Sequence, residues 1–429
     1  MHFASRTPSR IAPPPLLSGK KLWLPRFQIG SSTLFAAVFR SIGVDAQVMP
    51  PSDERTRELG ARHSGGDECY PLKLTLGDCL KIMDEPGRNE TNTAFLMATG
   101  QGPCRFGQYA PHFKSVFESL GVPDITIISP SFENGYADYG EASMAFVRSA
   151  WRAIVSADIL LKLLLRTRPY EAKEGSADAA YEESLSDLSR VLEKRCRSYG
   201  QQMKELRAGL RRAGERFRAV PRHSDGRRPL VGVVGEIFCR LNSFSNEETV
   251  RRLEAAGAEV WMNDVSEWVW YTNEEEARQL ARCGKAFGAR AVGARVRHFI
   301  QKRDERALVS LFDEDLAGRE EPSEVGEILR NAQPYLPAEG ASGEMVVNVG
   351  KAVYFARKGL DGVIDISPFT CMNGIICEAI YPRLSRDNGG IPIRNFYFDG
   401  TQSDLDSDID IFLELARNYR ARKNHRARD

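Results

Sequence analysis

The stretch Gly362-Val-Ile-Asp-Ile-Ser-Pro-Phe-Thr-Cys-Met-Asn-Gly-Ile375 decides the fold of its half of the chain. Its first five residues form a largely apolar run that favours a buried strand, and Cys371 lies at the junction with the start of a helix. Such junctions are where α/β folds place their chemistry. Because a helix N-terminus presents unpaired N–H groups and a positive dipole end, we expect it to lower the pKa of the Cys371 thiol and favour the metal-binding thiolate.

A similar alternation of strands and helices begins near the N-terminus. Short strands are predicted at 21–25, 45–49, 93–98 and 124–129. The predicted helices span 32–42, 53–63, 71–83 and 104–120. This alternation is typical of a parallel sheet covered by helices.

A helical region separates this first half from the second. Between 140 and 220 the strand signal disappears, and apolar residues spaced by three, four or seven from Leu185 to Phe217 predict one long amphipathic helix. Its predicted partner is the apolar helix 142–165. A second α/β domain begins after 221–229, with strands at 230–234, 258–262, 362–366 and 393–398 and helices at 246–256, between 273 and 301 and at 344–357.

These patterns predict an α/β fold with four segments. They are a disordered lead-in at 1–20, an N-terminal α/β domain at 21–139, a helical subdomain at 140–225 and a C-terminal α/β domain at 226–429.

Composition excludes two classes of partner. The 429 residues are 42% hydrophobic and 27% charged, with a formal net charge of +1. Such a charge provides no field for nucleic acid, and no apolar run reaches the roughly 18 residues of a membrane span. The first twenty residues lack an apolar core of signal-peptide length, so we predict a cytoplasmic protein that binds neither nucleic acid nor membrane.

Three of the eight cysteines lie at strand-helix junctions: Cys69, Cys104 and Cys371. Their positions suggest a single cluster site, and they can meet only if the two α/β domains face one another across a cleft. Cys239 ends a strand and is kept as a reserve ligand. The remaining four are interpreted as small buried hydrophobic residues: Cys79, Cys196, Cys283 and Cys377.

The ligand types bear on which metal would bind. Zinc is disfavoured because the chain has neither a Cys-x-x-Cys pair nor His with Glu on one helical face. Soft thiolates suit an iron-sulfur cluster, and three of them on a cubane would leave one iron open to another ligand. The alternative is that all three junction cysteines are ordinary small core residues.

Four ordered motifs carry a resemblance to a known family. They are Glu68-Cys-Tyr-Pro-Leu-Lys-Leu-Thr-Leu-Gly-Asp78, Gly102-Pro-Cys-Arg-Phe-Gly-Gln-Tyr109, Gly235-Glu-Ile-Phe-Cys-Arg-Leu-Asn-Ser-Phe-Ser-Asn246 and Pro368-Phe-Thr-Cys-Met-Asn-Gly374. From Lys21 onward the chain resembles the 2-hydroxyacyl-CoA dehydratase family, particularly its CoA-protein activase branch, which is related to double-cubane cluster proteins.

The resemblance implies two Rossmann-like α/β domains with a helical segment between them. It also implies a [4Fe-4S] or double-cubane cluster on Cys69, Cys104 and Cys371. Relatives receive a low-potential electron from a separate ATP-hydrolysing activase, and delivery of one electron to an acyl-CoA thioester permits loss of a hydroxyl group. A homologous subunit is a further possible partner. The chain itself lacks the Gly-x-x-x-x-Gly-Lys-Ser/Thr phosphate loop, and Asp399 is interpreted as a turn residue.

No catalytic residue is assigned, and several neighbours of the motif cysteines have two interpretations. Arg105, Lys73 and Arg240 could donate to a cluster sulfide or hold an anionic substrate, or could form ordinary salt bridges. Glu236 could tune the site or cap the helix that follows it. Three functions stay open: a component that dehydrates or reduces a small substrate, a non-catalytic electron-transfer or assembly component that serves another dehydratase, and a structural subunit whose cysteines are vestigial.

Overall fold

The structure is a computed structural model that describes residues 14–100, 102, 104–129, 143–195, 197–223, 228–337, 343–401 and 404–426. The chain divides into two compact units. Unit 1 comprises the described residues within Met1–Leu160, Ala180–Arg216 and Asp304–Leu311, and unit 2 comprises those within Leu161–Ala179, Phe217–Arg303 and Phe312–Asp429. Each unit contains a four-stranded parallel sheet, so the predicted α/β class with two parallel sheets is confirmed.

The sheet of unit 1 has the strand order β2-β1-β3-β4 with parallel pairing throughout. Its strands are β1 (Lys21–Leu24), β2 (Asp45–Val48), β3 (Thr93–Leu96) and β4 (Thr126–Ile128). The accompanying helices are α1 (Ile29–Ser41), α2 (Glu54–Arg62), α3 (Tyr70–Met83) and α4 (Tyr109–Ser119). The predicted helix 104–120 differs at its start, where Arg105–Gln108 form a 3-10 turn. Every residue of β3 is buried, as expected for a strand covered on both faces.

Helices α2 and α3 approach so closely that their backbones touch. A Cβ atom on Gly60 would lie 1.9 Å from the carbonyl oxygen of Lys73, and one on Gly77 would lie 1.9 Å from that of Thr56. Only glycine fits at either position, since a side chain would displace the neighbouring backbone. This packing fixes the first turns of α3 against α2, immediately after Cys69.

The sheet of unit 2 has the corresponding order β6-β5-β7-β8, again with parallel pairing. Its strands are β5 (Leu230–Gly235), β6 (Glu259–Met262), β7 (Gly362–Pro368) and β8 (Ile393–Phe398). The helices of this half are α8 (Ile237–Leu241), α9 (Thr249–Ala255), α10 (Val265–Arg282), α11 (Ala289–Val309), α12 (Val325–Ala332), α13 (Glu344–Arg357), α14 (Met372–Asp387) and α15 (Leu405–Arg426). Strand β7 is buried along its whole length, which explains its apolar run.

The helical region contains three main helices, α5 (Ser143–Thr167), α6 (Ser176–Leu192) and α7 (Tyr199–Ala219). The prediction of one helix from Leu185 to Phe217 is therefore wrong. Ser198 and Gln201 form a capping box: each side chain accepts a hydrogen bond from the backbone N–H of the other. This box starts α7 as a new helix.

The described parts of α5, α6, α7 and α11 are each divided between the two units, and α11 passes from unit 2 to unit 1 at Asp304. Two predicted features, most of the lead-in (1–13) and Cys196, lie outside the described residues. In the part of the chain that is described, no helix is both long and apolar enough to cross a membrane.

Candidate functional site

The three junction cysteines occupy the same kind of position. Cys69 is the N-cap of α3, Cys104 is the N-cap of the 3-10 turn that leads into α4, and Cys371 is the N-cap of α14. Each has an extended backbone, and in none does the side chain cap its helix. All three thiols are therefore placed beside backbone N–H groups that begin a helix.

Exposure separates these cysteines from most of the others. Cys104 is exposed and Cys69 and Cys371 are half-buried, whereas Cys79, Cys239 and Cys377 are buried. The predicted burial of Cys79 and Cys377 is confirmed. Cys283 is exposed, so its predicted burial is wrong: it caps the C-terminus of α10 just before a turn, outside the packed face of that helix.

In unit 1, side-chain contacts connect the loops that carry Cys69 and Cys104. The Cys69 Sγ lies 2.7 Å from the hydroxyl of Tyr109, a buried residue on α4. The guanidinium of Arg105 donates to the carbonyl oxygen of Asp67. Lys73 lies in the first turn of α3, where its backbone N–H donates to the Cys69 carbonyl. The two thiols of unit 1 thus belong to one packed corner at the ends of α3 and α4.

Cys371 follows the third strand in the sheet of unit 2, next to the point where the strand order reverses. Because β6 and β7 flank β5 on opposite sides, the carboxyl ends of β5 and β7 form a topological switch point, where α/β folds bind ligands. Gly235 ends β5 with a φ of 127°, and a Cβ atom there would lie 2.0 Å from the Ile366 carbonyl oxygen. Thr370 has a φ of 62°, which is strained for a β-branched residue. Strain immediately before Cys371 is typical of a functional loop.

Two carboxyl groups lie at the same end of the unit 2 sheet, those of the half-buried Glu236 and the buried Glu344. Glu236 is the N-cap of α8 and accepts hydrogen bonds from the N–H groups of Phe238 and Cys239, at 3.1 and 2.7 Å. The capping interpretation of Glu236 is thus confirmed. Glu344, in the first turn of α13, accepts from the N–H of Ile237 at 2.9 Å. Arg240 is buried and donates to the Asn263 carbonyl.

These groups set the protonation of Cys371. Burial raises the pKa of its thiol, and the charges of Glu236 and Glu344 raise it further, against an opposing effect of the Gly374 and Asn373 N–H groups. We expected the helix N-terminus to lower the pKa of Cys371. That prediction is wrong, because the net change is a rise. Burial and Glu236 likewise raise the pKa of Glu344, while Arg240 opposes the rise. A bound cation would reverse this balance and favour the thiolate.

Three contributing residues were missed in the sequence. Tyr109 ends one of the four motifs. The spacing of the apolar residues around it gave no sign of a hydrogen bond to Cys69. Glu344 begins a helix that was predicted correctly, but its distance along the chain from Glu236 hid their interaction. The strain at Thr370 is a backbone property without a sequence signal.

Comparison with protein-family models and with curated proteins found no match to this chain. Among the described residues, no three His, Cys, Asp or Glu side chains are grouped so that they could hold a metal ion. The structure places Cys69 and Cys104 in unit 1 and Cys371 in unit 2. Unit 1 and unit 2 each offer thiols that are at least partly exposed at helix N-termini.

Proposed function

We propose that this chain is an iron-sulfur protein of the 2-hydroxyacyl-CoA dehydratase type, with Cys69, Cys104 and Cys371 as the cluster ligands. The observation that carries the proposal is their shared placement at helix N-caps with at least partial exposure, in contrast to the fully buried Cys79, Cys239 and Cys377. Three of the four ordered sequence motifs contain these cysteines and support the same assignment.

The donor set fits an iron-sulfur cluster. Thiolates are the ligands that such clusters use, and the backbone N–H groups at each helix start can donate to cluster sulfur. Cys239 is a poorer ligand because it is fully buried, whereas Cys69 and Cys371 are half-buried and Cys104 is exposed. The proposal includes the predicted facing of two Rossmann-like domains across a cleft, with a helical subdomain between them.

The cluster would supply a low-potential electron to an acyl-CoA substrate. The electron would come from an ATP-hydrolysing activase in the cytoplasm, and a homologous subunit could complete the assembly. Within this chain, Arg105 and Tyr109 hold the Cys69 and Cys104 loops in place, and Glu236 orders the turn that precedes Arg240. Lys73, near Cys69, could attract an anionic substrate.

Anaerobic purification with iron and sulfide analysis tests this proposal directly. We expect about four irons per chain for one cubane or about eight for a double cubane, with an electron paramagnetic resonance signal after reduction. Cys104→Ser should lose the iron, whereas Cys79→Ala should keep it. No iron after anaerobic reconstitution, or equal iron in the two variants, would contradict the assignment. Reduction by an activase and ATP without turnover of any acyl-CoA would favour the electron-transfer component.

A further inference from the structure

A strongly basic segment runs from the end of α10 into α11. Residues 277–303 contain eight basic residues and neither Asp nor Glu: Arg278, Arg282, Lys285, Arg290, Arg295, Arg297, Lys302 and Arg303. The adjoining acidic residues are Glu274 to Glu276 before the segment and Asp304 and Glu305 after it, and those of the first group pair with some of the cations, including Arg290 and Arg297. Counting residues 274–305 together, eight basic and five acidic residues leave a formal charge of +3 in a chain whose total is only +1.

Large apolar side chains lie exposed within this segment. Phe287 is 89% exposed and Phe299 67%, and Val292 and Val296 are each about half exposed. Val292, Val296 and Phe299 are spaced by four and three residues, so they share one side of α11. The Arg295 guanidinium lies 5.7 Å from the centre of the Phe287 ring. We call these four apolar residues and the surrounding cations the basic face.

A segment with the opposite charge begins α15. Residues 399–415 contain six acidic residues and neither Lys nor Arg: Asp399, Asp404, Asp406, Asp408, Asp410 and Glu414. Ile411 is 56% exposed and Leu415 51%, one helical turn apart, with Asp410 and Glu414 beside them in the sequence. Asp406 pairs with Arg252 and Asp408 with Arg394 within the chain. We call Ile411, Leu415 and their acidic neighbours the acidic face.

The two faces match in both charge and polarity. With about 200 Å² for each phenylalanine side chain, the two rings of the basic face alone expose on the order of 300 Å². A patch of this size is often an interaction site. Two basic faces or two acidic faces would repel one another, whereas a basic face and an acidic face attract and bring apolar residues together.

We propose that the basic face of one copy of this chain docks onto the acidic face of a second copy. An anionic lipid surface fits less well, because it would attract the basic face but repel the acidic face and so leave Ile411 and Leu415 uncovered. When the basic face of each copy binds the acidic face of the next, the assembly closes into a ring or continues as a filament. In a two-fold dimer the same contact occurs twice. The proposal does not depend on the proposed function.

Sedimentation of the full chain, from about 1 to 100 µM, tests this association. The basic-face variant is Val296→Glu with Phe299→Glu, and the acidic-face variant is Ile411→Lys with Leu415→Lys. The matched control is Leu120→Glu, which changes an exposed leucine of unit 1 outside both faces. We expect concentration-dependent association in the wild type and control, and a dissociation constant raised at least about tenfold in each variant.

Mixing the two variants gives the decisive result. One intact basic face and one intact acidic face remain in the mixture, so association should return when neither variant associates alone. Association of the wild type should also weaken as NaCl approaches 1 M, because salt screens the attraction, and this second measurement needs no variant. A monomeric wild type at 100 µM, variants that associate normally or a mixture that stays monomeric would overturn the proposal. A monomeric wild type whose basic face binds anionic vesicles would assign that face to lipid instead.

Discussion

The helix before the third strand begins differently in the two units. In unit 1 this helix is α3, and its N-cap is Cys69; in unit 2 it is α13, which follows Gly343 and begins with Glu344. The loop after the third strand carries a cysteine in both units, Cys104 after β3 and Cys371 after β7. The two units thus place functional groups at corresponding positions. The local sequence decides whether the helix before the third strand begins at a second thiol, as in unit 1, or at a carboxyl group, as in unit 2.

The same two helices also bury opposite charges. Asp78 of α3 is buried and accepts hydrogen bonds from the hydroxyl groups of Ser52 and Thr56, both at 2.8 Å. Lys351 of α13 is fully buried and pairs with Glu267 at 2.7 Å and with Glu321. In unit 1 the Asp78 carboxyl group can become neutral by taking up a proton. In unit 2 the charge of Lys351 is neutralised by carboxyl groups that are fixed beside it. Four experiments probe this contrast.

The largest expected effect comes from removing the cluster ligands. Cys69→Ala and Cys371→Ala should each lose bound iron, because each deletes a proposed thiolate. The matched controls lie on the same helices: Cys79→Ala on α3 and Cys377→Ala on α14 remove buried thiols and should keep the iron. Iron analysis after anaerobic reconstitution measures all four. Loss of iron in only one of the two ligand variants would place the cluster in one unit alone.

Lys351→Met tests the ion pairs of unit 2. Burial alone would raise the pKa of Glu321, but Lys162 and Lys351 hold it at about 2, so the ionised carboxylate of Glu321 helps to neutralise the ammonium group of Lys351. Removing it leaves Glu267 buried beside Glu321 without its cation, and we expect a loss of about 3–5 kcal/mol in the free energy of unfolding. Lys358→Met, on an exposed pair with Glu320, should cost less than about 1 kcal/mol. Urea unfolding of both variants measures the difference, and equal losses would refute the role of burial.

Asp78→Asn tests the protonation of unit 1. Burial raises the pKa of Asp78 to about 6, while Thr56, Ser52 and Lys81 oppose the rise. Between its ordinary pKa and about 6 the folded chain holds a proton that the unfolded chain has released, so this carboxyl group lowers stability as pH rises through that window.

The asparagine stays neutral, so the variant should gain about 2–3 kcal/mol relative to the wild type between pH 4 and pH 7. Urea unfolding at both pH values gives this difference. Asp84→Asn, which removes an exposed carboxyl group at the C-cap of the same helix, is the control and should not reproduce this gain. An Asp78→Asn chain with the wild-type pH slope would show that the burial of Asp78 does not set it.

The sequence predicted the sheets better than the surroundings of the site. Apolar runs and turn residues located the eight strands of the described residues, and β3, β6 and β7 gave the clearest runs because they are buried along their whole length. They also located the three N-cap cysteines, since a thiol between a strand and a helix is visible in sequence. The break before α7 was missed although Ser198 and Gln201 carry a capping signal. The pairing of Lys351 with Glu267 and Glu321, and of Cys69 with Tyr109, depends on contacts between residues far apart in the chain, which periodicity does not report.

The smallest expected effect comes from Tyr109→Phe. This variant tests whether the two units also differ in the hydrogen bonds that set the reduction potential of a cluster. The Tyr109 hydroxyl lies 2.7 Å from the Cys69 Sγ, and a hydroxyl that donates to a ligating sulfur stabilises the reduced, more negative cluster. Its loss should lower the reduction potential by on the order of tens of millivolts and leave the iron content unchanged. In unit 2 the buried Tyr381 donates to Asp365, so Tyr381→Phe is the control and should leave the potential in place. A redox titration followed by electron paramagnetic resonance measures both. If only the iron content of Tyr109→Phe falls, Tyr109 positions Cys69 without tuning it, and the thiol pair of unit 1 differs from Cys371 in packing alone.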